Sequence, residues 1–141
     1  AGSGLTWTLT SGVRRRLLRA LPEPVRELAA EPPPQRILEL AERFVGDDTN
    51  YLIQQIVGKL ADFLDRGADG ALSAAGVNCM VGTAAAAAIP ELREGFDDAP
   101  VVSLFYGGSD GPAQRIRLET FAHQVHERAA RRRPGRTSRA G

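Results

Sequence analysis

Two glycine-containing segments carry the residues that could do chemistry. The first, GVNCMVG at residues 76–82, holds the only cysteine of the 141-residue chain, Cys79. The second, GGSDG at residues 107–111, begins with Gly107 and Gly108. A thiolate binds metals or attacks electrophiles, and glycine lets backbone amides approach a ligand closely. Cys79 is therefore a candidate metal ligand, and Gly107 and Gly108 are candidate ligand contacts.

A structural role for the cysteine stays open at this point. Free cysteine is among the residue types most often buried, and its neighbour Met80 is expected to belong to the core. A nucleophilic cysteine would need a base. The two histidines, His123 and His126, lie three residues apart on a predicted helix, where we expect them to be exposed. The second segment alternatively forms only a turn.

The elements that must position these segments follow from the hydrophobic pattern. Residues 71–75 and 101–106 are predicted to be strands, and the second is nearly continuously apolar, as in a strand covered on both faces. The helix between them is predicted to start at residue 84 with Thr83 as its N-cap, and to be kinked by Pro90. A strand, a helix and a second strand at this spacing form a βαβ unit, so the strands should be parallel.

Helices are predicted on both sides of this unit. Before it, polar side chains at residues 47–50 offer N-caps to a helix over residues 51–66. After it, a helix begins at Pro112. The residues expected to face the core are Leu52, Ile56, Leu60 and Phe63 in the first helix, and Leu118, Phe121, Ala122 and Val125 in the last. Because the carboxyl ends of parallel strands share one edge, the two glycine-containing segments should lie side by side.

The predicted fold class is α/β. It is a Rossmann-like or flavodoxin-like parallel-sheet fragment with the order α-β-α-β-α from residue 51, preceded by a helical N-terminal segment. We divide the chain into a helical or linker segment at residues 1–35, an α/β domain at 36–127 and a disordered basic tail at 128–141, which holds six arginines and no acid. Two parallel strands do not make a stable domain alone. Either residues 5–10 add a strand or, as we favour, the rest of the sheet belongs to a partner segment.

Composition excludes several classes of function. The formal net charge of +1 creates no polyanion-binding field, so no nucleic-acid partner is expected. No apolar run approaches the roughly 20 residues of a membrane span. A single cysteine excludes an internal disulfide framework and suits a reducing compartment. We expect a cytoplasmic protein whose oligomeric state the sequence leaves open.

Four ordered segments within residues 41–125 resemble a known family. They are CMVGT at residues 79–83, PELRE at 90–94, PVVSLFYGG at 100–108 and RLETFAHQ at 117–124. In order and spacing they are similar to the C-terminal part of the activase-related proteins of the 2-hydroxyacyl-CoA dehydratase system, in the D-component-like superfamily. Val81 stands where that family usually has proline, and the segment before the cysteine is plainer than usual.

The resemblance implies a Rossmann-like domain and a [4Fe-4S] cluster held by cysteines at strand ends. The family's system uses ATP to drive electron transfer into 2-hydroxyacyl-CoA dehydration. Cys79 matches the cysteine of the family's loop and is the implied cluster ligand, with Gly107 and Gly108 lining the same pocket. Such clusters generally need three or four thiolates. The others must then come from an upstream segment or a partner subunit, and ATP would bind only the full-length protein.

The chain alone is therefore not expected to be a complete enzyme. By the resemblance it looks like the C-terminal piece of a longer or split protein, or a degenerate copy. Two alternatives remain: a non-catalytic structural or partner-docking domain with an inert Cys79, and a small phosphate- or ligand-binding module that uses the two glycine-containing segments.

Overall fold

The described part of the chain is mixed α/β. The computed structural model describes residues 19, 20, 22, 23, 31–107 and 111–132. The chain divides into two compact units, Ala1–Pro32 and Pro33–Gly141, and the elements below lie in the second. Their order is α1 (Pro34–Ala41), α2 (Tyr51–Asp65), β1 (Ala71–Gly76), α3 (Met80–Ala86), α4 (Ile89–Gly95), β2 (Val101–Tyr106) and α5 (Pro112–Arg132). The strand considered at residues 5–10 lies outside the described residues.

The first two helices begin at the residues that the local chemistry favours. Pro34 occupies the first turn of α1, where a missing N–H removes no helical hydrogen bond. The Asn50 side chain caps α2 by accepting a hydrogen bond from the Leu52 N–H at 2.9 Å. The predicted N-cap chemistry before this helix is confirmed. The two helices approach closely because Gly58 has no side chain, and a Cβ there would overlap the carbonyl oxygen of Ile37.

Ion pairs also join α1 to α2. The Asp62 side chain is 2% exposed. Its Oδ1 lies 2.9 Å from Arg36 Nε, and its Oδ2 lies 2.6 Å from Arg66 Nη2. Arg36 also donates to Asp65 at 2.6 Å. The hydrogen bond to Asp62, followed by that to Asp65, raises the pKa of the Arg36 guanidinium above its ordinary value. Because a buried carboxylate is costly without partners, Asp62 requires Arg36 and therefore holds α1 in place.

The two strands form a parallel pair, which confirms the predicted relation between them. The register runs from Ala71 opposite Val101 to Gly76 opposite Tyr106. The buried Ser103 has its hydroxyl 2.6 Å from that of Ser73, so the two polar side chains satisfy each other inside the sheet. In the described part of the chain these two strands are the whole sheet.

The connection between the strands differs from the prediction. We expected one helix capped by Thr83 and kinked at Pro90. Instead α3 begins at Met80 and ends at Ala86, and α4 starts at Ile89 with Pro90 in its first turn. Proline lacks an N–H and clashes with the carbonyl four residues before it, whereas the first turn of a helix accommodates it. The chain therefore ends one helix and starts another rather than bending a single one.

The core lies between α1–α4 and one face of the sheet. Its buried members include Val57, Leu60, Ala61, Leu64, Ala71, Ala85, Leu92, Ala99 and Val101. The expected core face of α2 is only partly right. Leu60 is buried and Ile56 packs against the core, but Leu52 is 55% exposed and Phe63 also reaches the surface. The buried stripe instead follows Val57, Leu60, Ala61 and Leu64.

The opposite face of the sheet is thinly covered by α5. The predicted buried stripe of this helix is wrong: none of its residues is buried, Leu118 is largely exposed, and Ala122 is exposed. Phe121 and Val125 are half-buried against Gly70. The helix runs to Arg132, beyond the boundary predicted between residues 127 and 128. Neither α5 nor any other helix in the described residues is long and apolar enough to cross a bilayer.

The close approach of α1 and α2 yields a test by substitution. Gly58→Ala should destabilise the protein by about 1–3 kcal/mol, because the new methyl group meets the backbone of Ile37, which cannot rotate away. The steric overlap must cost more than the free energy of about 1 kcal/mol by which alanine is favoured over glycine in a helix interior. Urea unfolding followed by circular dichroism measures the change. Gly76→Ala is the matched control, since a Cβ there meets nothing within 4 Å, and it should change stability by less than about 0.5 kcal/mol. A stabilising Gly58→Ala would contradict the packing.

Candidate functional site

The ends of the two strands bring the two glycine-containing segments together. Beyond the last paired residues, the Val77 N–H donates to the Tyr106 carbonyl oxygen at 2.8 Å. A Cβ placed on Gly107 would lie 2.7 Å from Val77 Cγ2, so the segments after β1 and β2 touch. The predicted adjacency is confirmed for Gly107. Gly108, the other glycine of the prediction, lies outside the described residues.

A tight turn places Cys79 at the start of α3. Asn78 adopts a left-handed conformation with φ of 66°, which asparagine tolerates better than most residues. The Cys79 N–H donates back to the Gly76 carbonyl oxygen at 3.0 Å, closing the turn. The chain therefore reverses within three residues of the strand end, and the cysteine stays at the edge of the sheet.

Cys79 itself is the N-cap of α3, the position that we assigned to Thr83. Its Sγ accepts a hydrogen bond from the Gly82 N–H at 3.4 Å. Thr83 lies one turn further on, where its hydroxyl donates to the Cys79 carbonyl oxygen at 3.0 Å. A threonine before an alanine run is the stronger capping signal in sequence, but the turn at Asn78 starts the helix earlier.

Cys79 packs against Gly82 on one side. A Cβ on Gly82 would lie 3.5 Å from both Cys79 Sγ and Phe105 Cε1, and 2.7 Å from Ala75 Cβ. The sulfur, the ring and the methyl group therefore all lie around this glycine. Cys79 is nevertheless only half-buried. The expectation that Met80 belongs to the core is wrong, because it is 83% exposed.

Exposed apolar side chains border this edge of the sheet. Val77, Met80 and Tyr106 are exposed next to the strand ends, and Ile116 is 60% exposed near the start of α5. The first turn of α5 is tied to the same edge, because the Gln114 side-chain amide donates to the Phe105 carbonyl oxygen at 2.6 Å. We call Val77, Met80, Tyr106 and Ile116 the strand-end patch.

Among the described residues of this edge, Cys79 is the one thiol. Within the part of the chain that the structure describes, no group of three or more histidine, cysteine or acidic side chains could hold a metal ion. His123 and His126 are exposed on α5, as predicted, and His123 faces Glu127 at 3.4 Å. The described residues thus bring no pair of further metal-ligating side chains into a group with Cys79.

No protein family, no curated protein and no solved structure matches the chain. The resemblance to the activase-related proteins thus stays a prediction that these comparisons do not test.

Sequence reasoning missed two contacts that shape the edge. The Gln114 amide joins α5 to β2, and the sulfur of Cys79 caps α3. Nothing in the spacing of Gln114 marks it, since glutamine on a helix is ordinarily solvated. The position of Cys79 after Asn78 was the available signal, because asparagine readily takes the left-handed conformation that starts a new element.

The capping role of the thiol predicts an ordered effect of two substitutions. Cys79→Ala removes the acceptor of the Gly82 N–H and should cost about 0.5–1 kcal/mol. Cys79→Ser replaces sulfur with a hydroxyl oxygen, a strongly preferred N-cap, and should be more stable than Cys79→Ala by about 1 kcal/mol. Urea midpoints of the three proteins measure this order. Equal stability of the alanine and serine variants would show that the sulfur does not cap the helix.

Proposed function

We propose that this chain is an α/β domain of the activase-related, D-component-like kind, and that Cys79 supplies one thiolate to a [4Fe-4S] cluster completed by cysteines outside the chain. The cluster would serve ATP-driven electron transfer for 2-hydroxyacyl-CoA dehydration, with ATP bound elsewhere in the full-length protein. The observation that carries the proposal is the half-buried Cys79 just beyond the carboxyl end of β1, in the segment whose Val77 meets Gly107 at the end of β2.

The surroundings of the sulfur favour ligation. Hydrogen bonds from amides to ligating sulfur tune the potential of iron–sulfur centres. The Gly82 N–H already donates to Cys79 Sγ at 3.4 Å. This amide belongs to the first turn of α3 and has no partner within the helix. The chain thus orients the sulfur before any metal binds, while a bound cluster would supply one-electron chemistry.

The other part of the proposal is a partner that completes both sheet and cluster. The whole chain contains one cysteine, against the three or four thiolates that such a cluster generally needs. The described sheet has two strands and a thinly covered face, which is less than a parallel sheet ordinarily requires. An upstream segment or partner subunit with further strands would make a Rossmann-like domain, and we propose a cytoplasmic location for the assembly.

One observation favours a second function. Cys79 Sγ already has a structural task as the N-cap of α3. In this alternative, the chain is a non-catalytic domain that docks a partner, and the thiol is inert. The strand-end patch would then be the part of the surface that binds.

Anaerobic reconstitution with iron and sulfide tests the leading proposal. The chain is prepared together with the polypeptide encoded next to it, and bound iron, acid-labile sulfide and visible charge-transfer absorbance are measured. The wild-type protein should bind iron and sulfide, and Cys79→Ser should lose most of both. Met80→Ala is the matched control, because it alters an exposed neighbour of the thiol without removing a ligand. Equal iron and absorbance in the wild type and Cys79→Ser would refute the proposal.

Thiol labelling separates the second function from the first. Under native conditions a half-exposed ligand thiol should react with a water-soluble disulfide reagent within minutes, and iron loading should protect it. An inert thiol in the same half-buried position should be labelled at the same rate with and without iron. Protection by iron therefore supports the first function, and its absence supports the second.

A further inference from the structure

A polar cavity lies between the last turns of α5 and the turn that follows α4. Its volume is about 360 Å³. Residues 95–97 and Leu64 form part of its lining, and Arg128, Arg131 and Arg132 supply the rest. None of these residues belongs to the strand-end patch, and the proposed function gives them no role.

The three arginines lie on one side of α5. Residues three and four positions apart are neighbours on a helix, so Arg131 and Arg132 lie one turn beyond Arg128. Like charges at this spacing repel one another, although cations near a helix C-terminus also gain from its dipole. The cavity that they share is therefore a region of concentrated positive charge.

No carboxylate in the described residues neutralises Arg128. Its Nη1 and Nη2 donate to the carbonyl oxygens of Asp97 at 2.6 Å and Phe96 at 2.8 Å, which are uncharged acceptors. Its Nε is buried and has no hydrogen-bond partner in the part of the chain that the structure describes. Buried donors are rarely left unpaired, and one on a charged group is the more costly kind. An oxyanion in the cavity would offer the guanidinium group the counter-charge that it lacks.

The two other arginines keep part of their charge available. Arg131 has Glu127 Oε2 only at 4.0 Å, and its side chain is exposed. Arg132 is paired with Asp69 at 3.2 Å. The Asp97 residue also lines the cavity and opposes anion binding. The residues that line the cavity thus carry three guanidinium groups and one carboxylate.

We propose that this cavity binds the phosphate group of a small phosphorylated molecule. Guanidinium groups pair their N–H donors with phosphate oxygens in a bidentate manner, and several arginines around one cavity are typical of phosphate recognition. The cavity is built around a turn that Arg128 holds in place, and the net charge of the chain is only +1. Both features favour a small ligand over a polynucleotide. The proposal is independent of the role of Cys79.

A titration monitored by 1H–15N NMR tests it. Inorganic phosphate and pyrophosphate are added in turn, with sodium chloride adjusted to keep the ionic strength constant. The amides of Phe96 and Asp97 should shift saturably with at least one probe. Arg131→Gln should weaken binding about tenfold, the loss expected for one charge-assisted hydrogen bond. Asp97→Asn should tighten it, because the opposing charge is removed. Arg131 is chosen because Arg128 also holds the turn.

Arg115→Gln is the matched control. Arg115 lies on the same helix, is exposed, and pairs with the residue four positions on, Glu119, at 2.8 Å. Its replacement should leave the dissociation constant unchanged. The proposal is overturned if neither probe gives a saturable shift, or if Arg115→Gln and Arg131→Gln weaken binding equally. It is also overturned if a single-stranded oligonucleotide shifts the same amides while both phosphate probes fail.

Discussion

The parallel ladder between β1 and β2 is the interaction on which the rest of the structure depends. Because it pairs Gly76 with Tyr106, both strands end at the same level, and the segments after them must share one edge. The contact of Val77 with Gly107 and the turn that places Cys79 follow from this register. A slip of one residue would turn Ser73 and Ser103 away from each other and carry the thiol off the edge.

The same ladder leaves the domain unequal on its two faces. On one face, α1–α4 cover the sheet and contain nearly all of the core. On the other face, no residue of α5 is buried. Of the β2 side chains that point toward α5, only Leu104 is buried. The end of α5 is held by polar contacts rather than by a broad apolar one. Arg128 donates hydrogen bonds to the turn after α4, and Arg132 forms an ion pair with Asp69. A helix held by polar contacts can adjust its position more readily than one packed in a core.

The sequence-based predictions were right where local sequence signals agreed with the way the elements pack in the folded chain. The strands, their parallel relation and the start of α2 all have strong local determinants: apolar runs, the βαβ spacing and Asn50. It failed where packing decides between equivalent patterns. In α2, bulky residues suggested a face through Leu52 and Phe63, but the helix turns so that Gly58 and Ala61 allow α1 to approach. Burial of α5 was not predictable, since it depends on what covers the sheet rather than on the helix's own spacing.

The role of Cys79 was the hardest to predict, because the sulfur that caps α3 is also the proposed metal ligand, and sequence signals treat these two roles as alternatives. Capping and ligation do not exclude each other. A sulfur that accepts a hydrogen bond from the Gly82 N–H keeps other lone pairs with which it could bind a metal. The cap also fixes the direction of the side chain, so a ligand would not have to restrict a freely rotating thiol. The capping bond is therefore compatible with the proposed ligation as well as with an inert cysteine, and it does not distinguish the two.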